Sequence, residues 1–471
     1  MLFLGFQVAL RLQRTTSKRV GNTPTQSTTT FEDLFHYRTF AFRLKRVKFA
    51  VSKFDLLTAT ACLHFSLPFS MLNRRILRFK VLQGVYACVQ AQRSTESLAL
   101  DLIAQEFEPD LNAMVQPDPK VVETAKNACL SYFETHKHES HLEALWGNEK
   151  DEDTLSPAQK EIVRKAFVFF KKGLRQDIER SQAAMLDDVY AVQRIYVSLL
   201  NLLILFANRA YSSYQERKKR QFSDEIVYET EIRLWRNPTI ELLRRHAPLE
   251  ELIRSHSLYW DEDLIKIWFK KLRLSDFYQA YLQEKKTTEE QDRELLQTIL
   301  RDFIFKEEDI VELLERECLD WTTDYSVVKN MLTKTLRSAA EHLQNPTKVA
   351  FRLRDLSVDW ENDREFFVEL YKKAIAEGGT YERLIADNLQ GWDISRIALI
   401  DKLIVKIALT EMVAFPSIPI KVTINEYVEL AKNYGSEKSK DFVNGILDKL
   451  ATQLKAEGKI KKSGRGLLDS R

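Results

Sequence analysis

Three arginines within five residues, Arg74, Arg75 and Arg78, stand in the text MLNRRILRFKVLQGVYACVQ that runs from Met71 to Gln90. Ile76, Leu77, Val81, Val85 and Val89 supply the buried side of a helix there, so the arginines crowd its start, where positive charge opposes the macrodipole. Cations in that place form either a solvated basic turn or a contact for a partner. A second chemically odd spot is Asn444-Gly445, inside a run whose Phe442, Val443, Ile446, Leu447, Leu450 and Leu454 recur at helical spacing. A glycine in a helix interior costs about 1 kcal/mol relative to alanine. Either close helix packing over Gly445 or the approach of a ligand backbone would offset that cost. Both features speak of binding rather than catalysis. There is no G-x-S-x-G, P-loop or H-E-x-x-H. Carboxylate pairs such as Glu289-Glu290 and Glu307-Glu308 fall on charged helical faces. His136, His138 and His141 lie near Glu134 and Glu139 without a cysteine or aspartate at ligand spacing, so no metal is expected. Cys62, Cys88, Cys129 and Cys318 are far apart and form no CxxC, giving neither a metal site nor a disulfide framework, which suits a reducing cytoplasm.

The elements that position these residues read as helices. Only 13 glycines and 11 prolines occur in 471 residues, which favours long helices over a turn-rich sheet protein. The formal charge of +3 is uneven: residues 1–70 hold 10 basic against 3 acidic residues, leaving 61 basic against 65 acidic in the remainder. The main body is therefore no general polyanion binder, and any nucleic-acid surface on it must be a local patch. The most apolar run, Val197 to Ala207, has about half the ~20 residues a membrane span needs and is flanked by Arg194 and Arg209; it reads as a buried helix. Asp187 to Arg220 is helical in pattern and ends in Arg217-Lys218-Lys219-Arg220, cations suited to a helix C-terminus. Three tryptophans align as ends of a repeat: ELIRSHSLYW to Trp260, ELLERECLDW to Trp321 and RLIADNLQGW to Trp392. Asp292-Arg293-Glu294-Leu295-Leu296 matches Asp363-Arg364-Glu365-Phe366-Phe367 at the same offset as the last two tryptophans. An apolar pair two turns before a tryptophan lets the ring close over a helix junction, so the repeat is first a packing device.

Near the C-terminus, PIKVTINEYVELAKNYGSEKSKDFVNGILDKL, from Pro419 to Leu450, reads as two short helices. Thr423 and Glu426 have capping-box spacing at the first start, Gly435 is placed to stop that helix, and Ser436 to cap the next. Ile424-Asn425-Glu426, Glu429-Leu430-Ala431-Lys432, Tyr434-Gly435 and Phe442 to Lys449 resemble the C-terminal signature of the NusB family, all-helical bacterial transcription antitermination factors. The resemblance continues upstream through Arg396 to Glu411 and Pro416 to Pro419. The elongated chain resembles NusB-related proteins of the Bacteroidetes lineage.

The resemblance implies an all-α protein: a NusB-like helical bundle with a long helical insertion containing internal repeats. Its expected parts are a first core helix over 71–93, an insertion over 94–349, a C-terminal core over 350–455 and a basic tail over 456–471. Residues 1–70 are expected to be a start-site misassignment or a disordered arm, since NusB-like text begins at Met71; an organelle presequence is another reading of that acid-poor stretch. The implied function is non-catalytic and cytoplasmic: binding boxA-like single-stranded RNA together with NusE, a small-subunit ribosomal protein, in the RNA polymerase antitermination complex on ribosomal RNA operons. The resemblance assigns Arg74, Arg75 and Arg78 to RNA phosphates and Tyr434, Ser436, Lys438, Phe442 and Asn444 to the rest of the RNA surface. Phe442 also fits the core stripe, and Lys438 stands where relatives often carry an acid. Tyr86 and Asp401 match family positions facing NusE, as anchor and exposed rim acid. No cofactor and no membrane association is expected. The rival readings are a protein-interaction scaffold that has lost RNA binding, and an RNA-binding domain of the kind fused to ribosomal RNA methyltransferases. Against the latter, the 21 residues after Leu450 are too few for a cofactor domain.

Overall fold

The computed structural model describes residues 72–109, 118–139, 155–219, 229–388 and 397–470. The expectations for residues 1–70, and those that fall on His141, Arg220, Trp392 and Arg396, lie outside them. Every regular element among the described residues is helical.

Two helices carry the architecture. Helix α1 (Arg74–Gln105) opens behind Asn73, whose side chain accepts the Ile76 amide at 3.0 Å. After α2 (Pro119–His136) comes α3 (Pro157–Lys219), 63 residues and so about 95 Å at 1.5 Å per residue. Helix α3 lies along α1 and serves both halves of the body. Ala99 and Ile103 of α1, Phe133 of α2 and Val163, Phe167 and Phe170 of α3 enclose one apolar core. The remaining turns of α1 and α3, with all later long helices, enclose a second and larger one. The Val197–Ala207 run lies in that larger core. Among the described residues α3 is the one helix long and apolar enough to cross a membrane, and 72% of its apolar window is buried inside the protein.

A row of short helices follows: α4 (Arg233–Arg236), α5 (Pro238–Arg245), α6 (Ala247–His256), α7 (Glu262–Arg273) and α8 (Asp276–Gln283). Then come α9 (Glu289–Thr298), which runs into a π-helical turn at Ile299–Ile304, α10 (Glu308–Glu317) and α11 (Trp321–Gln344). The last group is α12 (Trp360–Ala376), α13 (Gly378–Asn388), α14 (Leu399–Ala414), α15 (Ile420–Tyr434) and α16 (Ser439–Ala456).

The tryptophan repeat has a structural counterpart. Trp260 sits between α6 and α7, and Trp321 opens α11 directly behind α10; both rings are buried at a helix junction. Leu295-Leu296 of α9 and Phe366-Phe367 of α12 are buried pairs in matching register. Each pair opens a series of helix, short helix and longer helix, α9–α11 and α12–α14.

The ends of α15 and α16 differ from the sequence expectation. Helix α15 starts at Ile420 behind Pro419, so Thr423 and Glu426 sit inside it rather than at its cap. A proline already fixes the entry backbone there. Ser436 does not cap α16, which starts at Ser439 behind Lys438; instead the Ser436 amide donates to Ser439 Oγ at 2.7 Å. Gly435 does end α15, but with an extended backbone. Glycine is required there by space, since a Cβ would stand 2.4 Å from Ser439 Cβ and 2.6 Å from the Ala431 carbonyl oxygen.

Candidate nucleic-acid interface

The three arginines of α1 meet carboxylates of this same chain. Arg74 Nε donates to Asp363 at 2.9 Å, and its guanidinium lies 4.7 Å from the Phe366 ring centre, both on α12. Arg75 grips Glu426 of α15 with two bonds of 2.8 Å. Burial alone would raise the Glu426 carboxyl, but the Arg75 bond and the charges of Arg78 and Arg75 hold it below the usual value. Arg78 makes a fork of 2.7 and 2.8 Å with Glu411 of α14, and Thr423 and Tyr427 of α15 donate their hydroxyls to the same carboxylate. The partner for cations at this helix start is therefore, in the first instance, internal.

Exposure divides them. The side chains of Arg74 and Arg75 are 33% and 39% exposed, whereas that of Arg78 is 4% exposed over a Glu411 that is fully enclosed. Arg78 thus departs from the expectation of a phosphate contact: its fork is consumed by a buried ion pair. Arg75 spends Nε and Nη2 on Glu426, leaving Nη1 donors of its five-donor group for another acceptor.

One turn further along α1, Phe79 stacks on Tyr434, the last residue of α15, with ring centres 4.2 Å apart and planes 12° from parallel. Tyr434 is half-buried, and burial, eased by a hydrogen bond with Thr323, pushes its phenol up to about 12, so it stays protonated at neutral pH. The opening of α1 and the start of the C-terminal set are thereby joined. Beyond Tyr434, Ser436 and Lys438 are exposed in the turn and Asn444 on the outer side of α16, while Phe442 is half-buried against the core. A Cβ at the exposed Gly445 would meet nothing within 4 Å, so close helix packing does not account for that glycine.

Asp401 is not the exposed rim acid expected from sequence. It is 6% exposed and accepts from Ser439 Oγ at 2.8 Å, tying the start of α16 to α14. Burial raises its carboxyl, with the Ser439 bond opposing. Tyr86 is half-buried on α1 with its body against the main core.

Sequence reasoning missed Phe79, Glu411 and Glu426 as parts of this arrangement. Glu411 had a readable signal: a lone acid in the apolar text KIALTEMVA must find a cation or a set of donors if that helix is buried.

Comparison with known proteins agrees with the C-terminal signature. Residues 334–452 match the model of the NusB family. Among curated proteins, the chain is 40% identical over 106 residues to a transcription antitermination protein NusB of Chloroherpeton thalassium, covering 22% of this chain and 50% of that one. A protein of the same name from Salinibacter ruber is 34% identical over 22% of this chain and 66% of its own length. Another from Acetivibrio thermocellus is 42% identical over 19% and 62%. The chain thus spans between half and two thirds of these relatives. No solved structure matches. On this sequence evidence and the all-helical fold beneath it, residues 334–452 form a domain of the NusB family.

Proposed function

We propose that this protein is a non-catalytic RNA-binding antitermination factor that holds boxA-like single-stranded RNA together with NusE in the transcribing RNA polymerase complex of the cytoplasm. The observation that carries the reading is the junction of α1 with α15: Arg75 on Glu426 and Phe79 on Tyr434 bring a cationic helix start onto the family-matching domain across more than 300 residues of sequence. Arg74 and Arg75 supply phosphate contacts, and Arg78 holds the helix beneath them. Tyr434, Ser436, Lys438 and Asn444 offer ring, hydroxyl, ammonium and amide groups to unpaired bases, which is how single strands are read. Phe442 supports them from the core side. Gly445, which packing leaves unexplained, lets a strand lie close to α16. Tyr86 anchors the ribosomal partner, and Asp401 acts at one remove by fixing the α15–α16 turn.

The test is a gel shift with boxA-like RNA, with and without NusE, on wild type and on Arg74→Glu combined with Arg75→Glu. The double variant is expected to lose most RNA retention. A milder Arg74→Gln with Arg75→Gln, checked by thermal melting, should flatten the slope of log K against log salt by about 1.4, two phosphates at about 0.7 each for single strands. Unchanged retention in the folded double variant overturns the reading. Binding to NusE without any RNA contribution would favour the scaffold instead.

A further inference from the structure

Beside the π-helical turn lies a recess of about 200 Å³ lined by Gln297, Leu300, Arg301, Phe305, Lys329 and Thr333. A cavity of about 150 Å³ suffices for a benzene ring, so this one accepts a single planar ring and little more. The turn itself builds the wall. The Phe305 amide bonds to the Leu300 carbonyl at 3.0 Å, five residues back, which sets Leu300 and Phe305 one above the other where an α-helix would stagger them. Phe305 is then held edge-on against Tyr325 at 4.9 Å, with Trp321 behind both. Such π turns recur at functional sites. Arg301 and Lys329 are exposed at the mouth with Lys306 nearby, and Lys329 Nζ sits 5.6 Å over the Tyr325 ring. The acids facing them are Asp302, paired with Arg301 and Lys306, and Glu294, which acts on Arg301. The mouth keeps a surplus of positive charge.

Helix α11 links this recess to Tyr434. On α11, Thr322, Ser326, Lys329 and Thr333 form an exposed stripe at helical spacing, with Thr323 on one edge and Tyr325 on the other. Thr323 is bonded to Tyr434, while Tyr325 meets Phe305. From Thr323 to Lys329 the helix advances about 9 Å, a few nucleotide steps at ~3.4 Å each.

We propose that the recess is a second RNA subsite, which takes one unpaired base against Leu300 and Phe305 and the flanking phosphates on Arg301 and Lys329, so that a strand leaving Tyr434 crosses α11 and ends here. The inference rests on the RNA-binding reading and extends it: the helices outside the family-matching stretch lengthen the RNA footprint. Aromatic walls beside mobile cations are the usual means of holding single strands with little sequence preference.

Fluorescence anisotropy on the full chain tests it with two labelled RNAs, a short boxA-like oligonucleotide and the same sequence extended by several nucleotides at each end in turn. Wild type should bind one extended RNA roughly tenfold tighter than the short one, the order expected for one stacked base. Its salt slope should be steeper by about 1.4. Arg301→Glu with Lys329→Glu should abolish that increment and leave affinity for the short RNA unchanged. Should the double variant fold poorly, Lys329→Gln alone should reduce the slope by about 0.7. Equal wild-type affinity for short and extended RNA, or an increment that survives both substitutions, overturns the subsite while sparing the RNA reading. Failure of wild type to bind either RNA overturns both.

Discussion

Helix α1 is held by buried charge at two levels that lie only two residues apart, and they are built differently. Toward α14 and α15, Arg78 faces Glu411, and all four hydrogen bonds to that carboxylate are in place, two from the guanidinium and one each from Thr423 and Tyr427. Toward α11, Lys80 faces two acids, with Nζ 2.8 Å from Asp324 and 3.3 Å from Asp320. Gln83 donates to Asp320 at 2.8 Å and Cys318 to Asp324 at 3.3 Å, yet Asp324 Oδ1 and Gln83 Oε1 accept no hydrogen bond. The first clamp is charge-balanced and saturated. The second has one cation for two carboxylates and spare acceptors. A saturated buried pair is indifferent to pH near neutrality, whereas an acid-rich one is not. The family-matching side of α1 is thus fixed firmly, and the side facing the additional helices is held by a cluster whose strength depends on protons.

Removing the cation from the acid-rich clamp should have the largest effect. Lys80→Met leaves two enclosed carboxylates side by side, which cannot both stay ionised. At neutral pH the expected loss is at the upper end of the roughly 3–5 kcal/mol typical of breaking a buried pair from one side. The loss should shrink on acidification, because a proton then takes the place of the missing ammonium. Chemical denaturation at several pH values checks this; a deficit independent of pH would show that the two acids are not coupled as their positions suggest.

Arg78→Met should cost less, toward the lower part of the same roughly 3–5 kcal/mol range, because two hydroxyls still solvate Glu411. Chemical denaturation at neutral pH reads this deficit against that of the Lys80 variant. In the gel shift, RNA retention should fall only as far as the folded fraction does, since Arg78 is enclosed and Arg74 and Arg75 keep their places.

These two clamps also show what could be seen in the sequence. The helices were legible because periodic apolar positions, few glycines and the Trp260 and Trp321 junctions all act locally. The C-terminal signature was legible because its residues are consecutive. Arg78 was visible as a cation at a helix start, but its partner lies 333 residues away, and only tertiary contact decides between phosphate and carboxylate. Asp401 was misread for the same reason: its burial is set by Ser439, in a helix that begins three residues later than its apparent cap. The π turn leaves no trace in an apolar text such as TILRDFIF, since one extra residue per turn changes no residue type that spacing could reveal.

The smallest expected effect distinguishes the clamps most sharply. Changing one acid to its amide should act oppositely at the two levels. Glu411→Gln removes the nearer, bidentate counter-charge of Arg78, leaving only Glu426 at 3.8 Å, and should destabilise, whereas Asp324→Asn removes the surplus charge beside Lys80 and should fall within about 1 kcal/mol of wild type at neutral pH. The sign of its pH dependence follows from the position of the carboxyl. Burial raises Asp324 above its ordinary value, with the Lys80 charge opposing and Asp320 adding to the rise. A carboxyl raised on folding binds its proton more tightly in the native state, so its favourable contribution is complete below the unfolded value. That contribution fades as pH climbs through the raised one. Asp324→Asn eliminates the titration, and the variant should therefore gain on wild type as pH increases across the window above the ordinary carboxylate range, then run parallel to it. If the two stability curves instead stay parallel from acid to neutral pH, Asp324 is not proton-sensitive, and the contrast in pH dependence between the two faces of α1 falls.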